Sequence, residues 1–175
     1  MSLIRGLSFF GLCFAFVVIA LGAWTRLVDA GLGCPDWPGC YGFVVFPTTE
    51  AEILIAEQRY PQFPYEIDKA IPEVVHRYFA AALGFIAILL VAFSYKHKLP
   101  TRIKAIASFL LFFICCQGLF GYLTVSLKLL PIIVTGHLFG GFITLSLFFY
   151  LFLNTGDSIK NHQIGHLKIL GGIAL

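Results

Sequence analysis

Four stretches of this chain contain no Asp, Glu, Lys or Arg over lengths sufficient to cross a lipid bilayer. They cover residues 6–25, 78–95, 105–127 and 129–156. A helix rises about 1.5 Å per residue, so about 20 apolar residues span a hydrocarbon core of about 30 Å. Only 12% of the 175 residues are charged, whereas about a quarter is usual in soluble domains. The sequence therefore predicts an all-α integral membrane protein, built as a four-helix transmembrane bundle.

The charged residues predict how this bundle is oriented in the membrane. Eight of the nine acidic residues lie within 26–73, in the long connection between the first two spans and at its border. Basic residues cluster in the next connection and follow the fourth span: Lys96, Lys98, Arg102, Lys104, Lys160 and Lys168. The positive-inside rule then places both termini in the cytoplasm and the long connection outside. Because orientation accounts for the basic clusters, we expect lipid and no nucleic acid as a partner.

The spans divide the chain into one large unit and a short tail. We expect the spans at about residues 7–25, 73–95, 104–126 and 131–153, so residues 1–156 form a four-span half. Residues 157–175 are expected to form a cytoplasmic linker and the interrupted start of a fifth span. This pattern favours a fragment of a longer protein.

The long first connection carries two cysteines, Cys34 and Cys40, separated by five residues rich in turn formers. Thiols on the outer face of a membrane oxidise, so we expect a disulfide-bearing outer loop between helices 1 and 2. The bond either staples the loop or acts as a redox-active pair. Further along, Thr49 and Glu52 fit a capping box, which predicts a short surface helix.

The most unusual residues stand at the threshold of the second span. Glu73, His76 and Arg77 are spaced i, i+3 and i+4, so they share one face of a helix. His137 lies about two turns into the fourth span. Spans two and four run in the same direction, which places both histidines at a similar depth near the outer end. Ionisable groups at this depth are costly and indicate function.

Small residues accompany both histidines. Gly140 and Gly141 follow His137, and Ala80 and Gly84 follow His76. Imidazole is a ligand for iron, and helix bundles build cofactor sites from facing helices. A pair of histidines beside a slot predicts haem. The alternative is that the histidines are interfacial or hydrogen-bond between helices.

Three further residues complete the candidate site. Arg77 can pair with Glu73 or with a haem carboxylate, since its guanidinium recognises carboxylates. Glu73, if released, can act as a base or stabilise positive charge. Gln117 lies on a polar stripe of the third span, where helix packing is the simpler role and ligand contact the second.

Several motifs, in chain order, resemble the bacterial haem A synthase family. They are the run from Gly22 to Leu27, the cysteine-bearing segment from Asp29 to Cys40, the Glu73 to Arg77 motif, Gln117 with the segment 121–125, and His137. The resemblance implies an enzyme of the bacterial cytoplasmic (inner) membrane that oxidises a methyl group of haem O to the formyl group of haem A. It implies that His76 and His137 ligate the reacting haem, that Glu73 takes part in the chemistry, and that Cys34 and Cys40 form a disulfide.

The resemblance also implies partners and one departure. Family members usually have eight spans in two similar halves, with haem b held by a second histidine pair in the C-terminal half. Some short relatives have four spans and work as dimers. Candidate partners are therefore haem O synthase, an electron acceptor and a second copy of the chain. The alternative function is a b-type haem subunit that carries electrons without altering its haem.

Overall fold

The computed structural model describes residues 3–156. This part of the chain forms five α-helices and no β-strand: α1 Leu3–Leu27, α2 Glu50–Arg59, α3 Ile67–Lys96, α4 Thr101–Ser126 and α5 Pro131–Asn154. All of these except α2 are long and apolar enough to cross a membrane. The prediction of an all-α membrane protein with four spans is thereby confirmed. The expected linker and fifth-span start at 157–175 lie outside the described residues.

The four membrane helices pack as a square bundle. Helix α1 packs against α3 and α5, and α4 packs against the same two helices. The connections at 97–100 and 127–130 are short, so α4 runs antiparallel to both α3 and α5. Helices α3 and α5 are therefore parallel and occupy opposite corners. Side chains from these two helices can meet across the centre of the bundle.

Two apolar clusters hold the fold. The larger cluster fills the half of the bundle remote from the long loop; its members include Leu83, Leu90, Leu110 and Phe148. The smaller cluster packs the loop against the start of α3; it contains Cys34, Cys40, Tyr41, Ala56, Ala70 and Val74. We call the end of the bundle that carries this loop the loop end. Between the two clusters lies a level of α3 and α5 that carries polar residues.

Helix α3 starts six residues earlier than the span expected at about 73. It begins at Ile67 and includes Pro72, whose missing N–H leaves one helical carbonyl unpaired close to the helix start. The extension is stable because Ala70 and Val74 are buried against the loop cluster. Apolar composition marks the part of a helix that lies in lipid, whereas packing under the loop sets where this helix begins.

The loop between α1 and α3 is ordered by local bonds. Cys34 and Cys40 are joined by a disulfide, which confirms the predicted pair. The hydroxyl of Thr49 accepts from the Glu52 N–H at the start of α2, and the Glu52 carboxylate accepts from the Thr49 N–H in return. The predicted capping box is confirmed. Tyr41 is buried and donates to the Pro64 carbonyl at 2.9 Å, which closes the loop on itself.

Candidate functional site

His76 and His137 meet across the centre of the bundle near its loop end. Their ring centroids are 6.4 Å apart and the ring planes are nearly perpendicular, at 84°. The Nδ1 atom of each ring is fully buried and has no hydrogen-bond partner among the described residues. A buried polar atom without a partner costs about 1–3 kcal/mol, so native proteins rarely leave one without a role. Two such atoms on adjacent imidazoles indicate a site built for a ligand.

Glycines from two other helices border the imidazoles. A Cβ atom added at Gly22 of α1 would lie 2.9 Å from Cε1 of His76, and one added at Gly121 of α4 would lie 3.9 Å from His137. Two of the small residues expected beside the rings, Gly84 and Gly141, lie against other side chains. A Cβ at Gly84 would contact Ile114 at 3.7 Å, and one at Gly141 would contact Ile19 at 3.2 Å.

Gly140 accommodates the side chain of Gln117. A Cβ atom at Gly140 would overlap the Gln117 amide, so the absence of a side chain on α5 lets this polar group of α4 enter the helix interface. Gly121, which borders His137, lies one helical turn from Gln117. The two candidate residues Gln117 and Gly140 therefore contact each other, and they lie about one turn from the imidazole pair.

Glu73 lies one turn before His76 and is almost fully buried. Its Oε1 accepts from Arg77 Nη2 at 2.5 Å, and its Oε2 accepts from the Cys34 N–H at 3.0 Å. The ion pair is largely shielded, since the side chains of Arg77 and Glu73 are 12% and 6% exposed. The carboxylate thus joins α3 to the disulfide.

Arg77 also binds the loop that carries the disulfide, through backbone carbonyls. Its Nη1 donates to the carbonyl of Asp36 at 2.9 Å and to that of Gly39 at 2.5 Å. Of the two partners left open by the sequence, Arg77 therefore takes Glu73, and it adds the loop backbone. A guanidinium presents its donors in a fixed fork, which suits this combination of one carboxylate and several carbonyls.

The part of the loop that Arg77 holds, residues 36–39, also contacts α4. Trp37 packs edge to face on Tyr122, with ring centroids 6.0 Å apart. Tyr122 follows Gly121 directly, so this aromatic pair lies close to the His137 side of the site. The loop thereby contacts both α3 and α4 at the loop end.

Thr25 ties α1 to α3 beside the histidine. Its hydroxyl is within hydrogen-bonding distance of the Leu21 carbonyl of its own helix, at 2.9 Å, and of the Pro72 carbonyl of α3, at 3.3 Å. Sequence reasoning did not single out Thr25, Gly22 or Trp37 as parts of the site. All three lie in the motifs that carry the family resemblance, which was the available signal.

The described residues contain no group of three His, Cys, Asp or Glu side chains that could hold a metal ion. Two histidines could nevertheless hold a haem, because the porphyrin supplies the remaining ligands. A separate open cavity of about 240 Å³ lies at the loop end, where its lining includes Asp29, Lys69 and Leu129. The histidines do not line it.

Comparison with known proteins supplies the family context. The family model described as cytochrome oxidase assembly protein, COX15-CtaA, matches residues 5–173. The chain is 44% identical over 144 residues to the heme A synthase of Shewanella oneidensis. This match covers 82% of the chain and 43% of the relative. The chain thus spans less than half the length of the relative that it matches.

Proposed function

Because this chain belongs to the COX15-CtaA family, the haem A synthase family of cytochrome oxidase assembly proteins, we propose that it forms the substrate-binding half of a haem A synthase. This half binds haem O and supports oxidation of its methyl group to the formyl group of haem A. The observation that carries the proposal is the pair of imidazoles, 6.4 Å apart, with unpartnered buried nitrogens.

The spacing of the imidazoles supports two-histidine ligation of one iron. Two imidazoles that hold one metal ion would each bring a nitrogen to within about 2 Å of it, so their rings would lie close together. The observed 6.4 Å agrees with this requirement. When bound, the haem supplies the redox chemistry at its iron. His76 and His137 would hold it, and Gly22 and Gly121 leave the space beside their rings.

Glu73 is the proposed base. Conversion of a methyl to a formyl group removes hydrogen from carbon, so a carboxylate near the haem is useful as a proton acceptor. Glu73 lies one turn from His76 on the same helix face. Arg77 and the Cys34 N–H hold its two oxygens in place. Arg77 remains a candidate partner for a haem carboxylate, for which it would give up Glu73.

One observation favours a second candidate, a b-type haem subunit that only carries electrons. Both oxygens of Glu73 already have partners that fasten the disulfide loop, so a structural role accounts for this residue without any chemistry. An electron carrier would need His76 and His137 but would tolerate the loss of the Glu73 carboxylate, provided that the loop stayed folded.

The remaining parts of the proposal concern the surroundings of the protein. The relative is more than twice as long as the segment matched here, so we propose that a second unit holding haem b completes the enzyme, either as a C-terminal half or as a second copy. We place the protein in the bacterial cytoplasmic membrane, with both ends of this chain cytoplasmic, where haem O synthase and an electron acceptor serve as partners.

Haem binding is tested first with the purified chain in detergent. Added haem should give a Soret band and the low-spin spectrum of two imidazole ligands. The variants His76→Ala and His137→Ala should each lose that spectrum. His97→Ala is the matched control, because His97 lies at the opposite end of α3 against Phe93. Absence of a Soret band in the unmodified chain would rule out both haem functions.

Catalysis is tested in a chimera that joins this chain to the remaining part of the Shewanella oneidensis relative, expressed in cells without their own haem A synthase. Glu73→Gln should retain haem and stop haem A from accumulating. The isosteric amide keeps the shape of the carboxylate but only one acceptor oxygen for its two donors, so hydrogen exchange at the Cys34 amide must show that the loop stays closed in this variant. Continued haem A production would overturn the role of Glu73 as the base, whereas a lack of haem A from the unmodified chimera would favour the electron carrier.

A further inference from the structure

Gly22 lies closer to the imidazole of His76 than Gly121 lies to the imidazole of His137. A Cβ atom at Gly22 would lie 2.9 Å from Cε1 and 3.4 Å from both ring nitrogens of His76. Real Cβ atoms essentially never approach another heavy atom within 3.0 Å. The glycine therefore lies against the ring edge that carries both nitrogens, and any larger residue would displace the ring.

Helices α1 and α3 cannot easily separate to relieve a clash between a Cβ at position 22 and His76. The Thr25 hydroxyl of α1 reaches the Pro72 carbonyl of α3 on the side toward the loop. On the other side Phe14 of α1 stacks on Phe79 of α3, with centroids 5.3 Å apart and planes within 2° of parallel. Since contacts on both sides fix the distance between the helices, the imidazole is the group that must move.

The environment of His137 differs. A Cβ at Gly121 would lie 3.9 Å from Cε1 and Nε2 of His137, an ordinary van der Waals contact that requires no movement. A Cβ atom in place of the glycine hydrogen would thus displace the ring of His76 but not the ring of His137. This asymmetry follows from the positions of α1 and α4 relative to the rings.

We propose that Gly22 is the positioning residue of the haem site: its lack of a side chain allows His76 to stand 6.4 Å from His137, the separation at which both rings bind one iron. This inference rests on the proposed haem site. Gly22→Ala leaves the helix intact, because the clashing atoms belong to a side-chain terminus. It displaces the His76 ring from its present position opposite His137.

The experiment compares three alanine variants of the whole chain, purified in detergent and titrated with haem. Gly22→Ala should weaken haem binding about tenfold or more, the scale of loss when a residue that orients a metal ligand is changed. Its ferric spectrum should shift from low spin to high spin in absorption and electron paramagnetic resonance.

Two control variants separate ligand displacement from general packing damage. Gly118→Ala adds a Cβ with nothing within 4 Å and should change neither stability nor spectrum. Gly11→Ala, on the same helix as Gly22, would overlap the buried Phe148 ring of the remote cluster. It should lower the unfolding temperature of the protein while the haem that is bound stays low spin.

The outcomes distinguish this inference from the proposed function. A low-spin complex of unchanged affinity in Gly22→Ala would overturn the positioning role and leave the haem site standing. Failure of Gly22→Ala to fold, with Gly118→Ala folding normally, would also overturn it, because Gly22 would then serve helix packing. If the unmodified chain gives no low-spin complex at all, the proposed haem site itself is wrong.

Discussion

The buried ion pair between Glu73 and Arg77 should hold the disulfide loop on the bundle. Glu73→Ala removes two hydrogen bonds to a charged group, one from Arg77 and one from the Cys34 N–H. Each such bond contributes about 1.5–3 kcal/mol, and breaking a buried ion pair costs about 3–5 kcal/mol. Because about 1.4 kcal/mol corresponds to a factor of ten, opening of the loop should become roughly 10²- to 10³-fold more frequent.

Hydrogen exchange of the Cys34 amide measures this opening directly, since that N–H loses its acceptor when the loop lifts away. The matched control is Glu66→Ala on the same helix. Glu66 pairs with Lys69 at 2.9 Å, but these two side chains are 50% and 37% exposed, and such surface pairs contribute only about 0–1 kcal/mol. The control should therefore change exchange at Cys34 by less than about tenfold.

A double-mutant cycle completes the test. Arg77→Ala also frees the Asp36 and Gly39 carbonyls, so the double variant should open more often than either single one. Its effect should be smaller than the two single effects combined, because the shared bond is lost only once. The reasoning is refuted if Glu73→Ala accelerates exchange at Cys34 no more than Glu66→Ala does, or if the two substitutions act additively.

Three further predictions concern the loop. Thr49→Ala should remove the cap of α2 and destabilise this helix by about 1 kcal/mol, seen as faster amide exchange confined to α2. The N–H groups of Thr48 and Thr49 lower the pKa of Glu52 below its ordinary 4.5. The amides of α2 should therefore be fully protected from exchange above pH 4.5 and lose protection as the pH falls through the lowered pKa of Glu52. Glu52→Gln should abolish this acid dependence. Burial, and next the charge of Glu66, raise the pKa of Tyr41 from 10.0 to about 12. The loop should thus keep full stability below pH 10 and lose it between pH 10 and 12; Tyr41→Phe should remove this alkaline loss, and absorbance of the tyrosinate reports the titration.

Much of the architecture follows from local sequence. The charge-free stretches predicted the four spans, because a run of about 20 residues without charged side chains can cross lipid as a helix that satisfies its own backbone. The disulfide and the capping box of α2 were also predictable, since both join residues that are close in sequence. The Glu73, His76 and Arg77 motif was recognisable as a site because ionisable groups at this depth are rarely tolerated without a role.

Only the tertiary structure decided what surrounds the imidazoles. Sequence spacing favoured Gly84 and Gly141, which share a helix with a histidine, whereas the rings are bordered by Gly22 and Gly121 of other helices. Sequence spacing also left two possible partners for Arg77. The path of the loop places Arg77 against Glu73 and the carbonyls of Asp36 and Gly39. The physical reason is the same in both cases. Periodicity within a helix shows which residues share a face, but the contacts of that face depend on how separate helices and a long loop pack together.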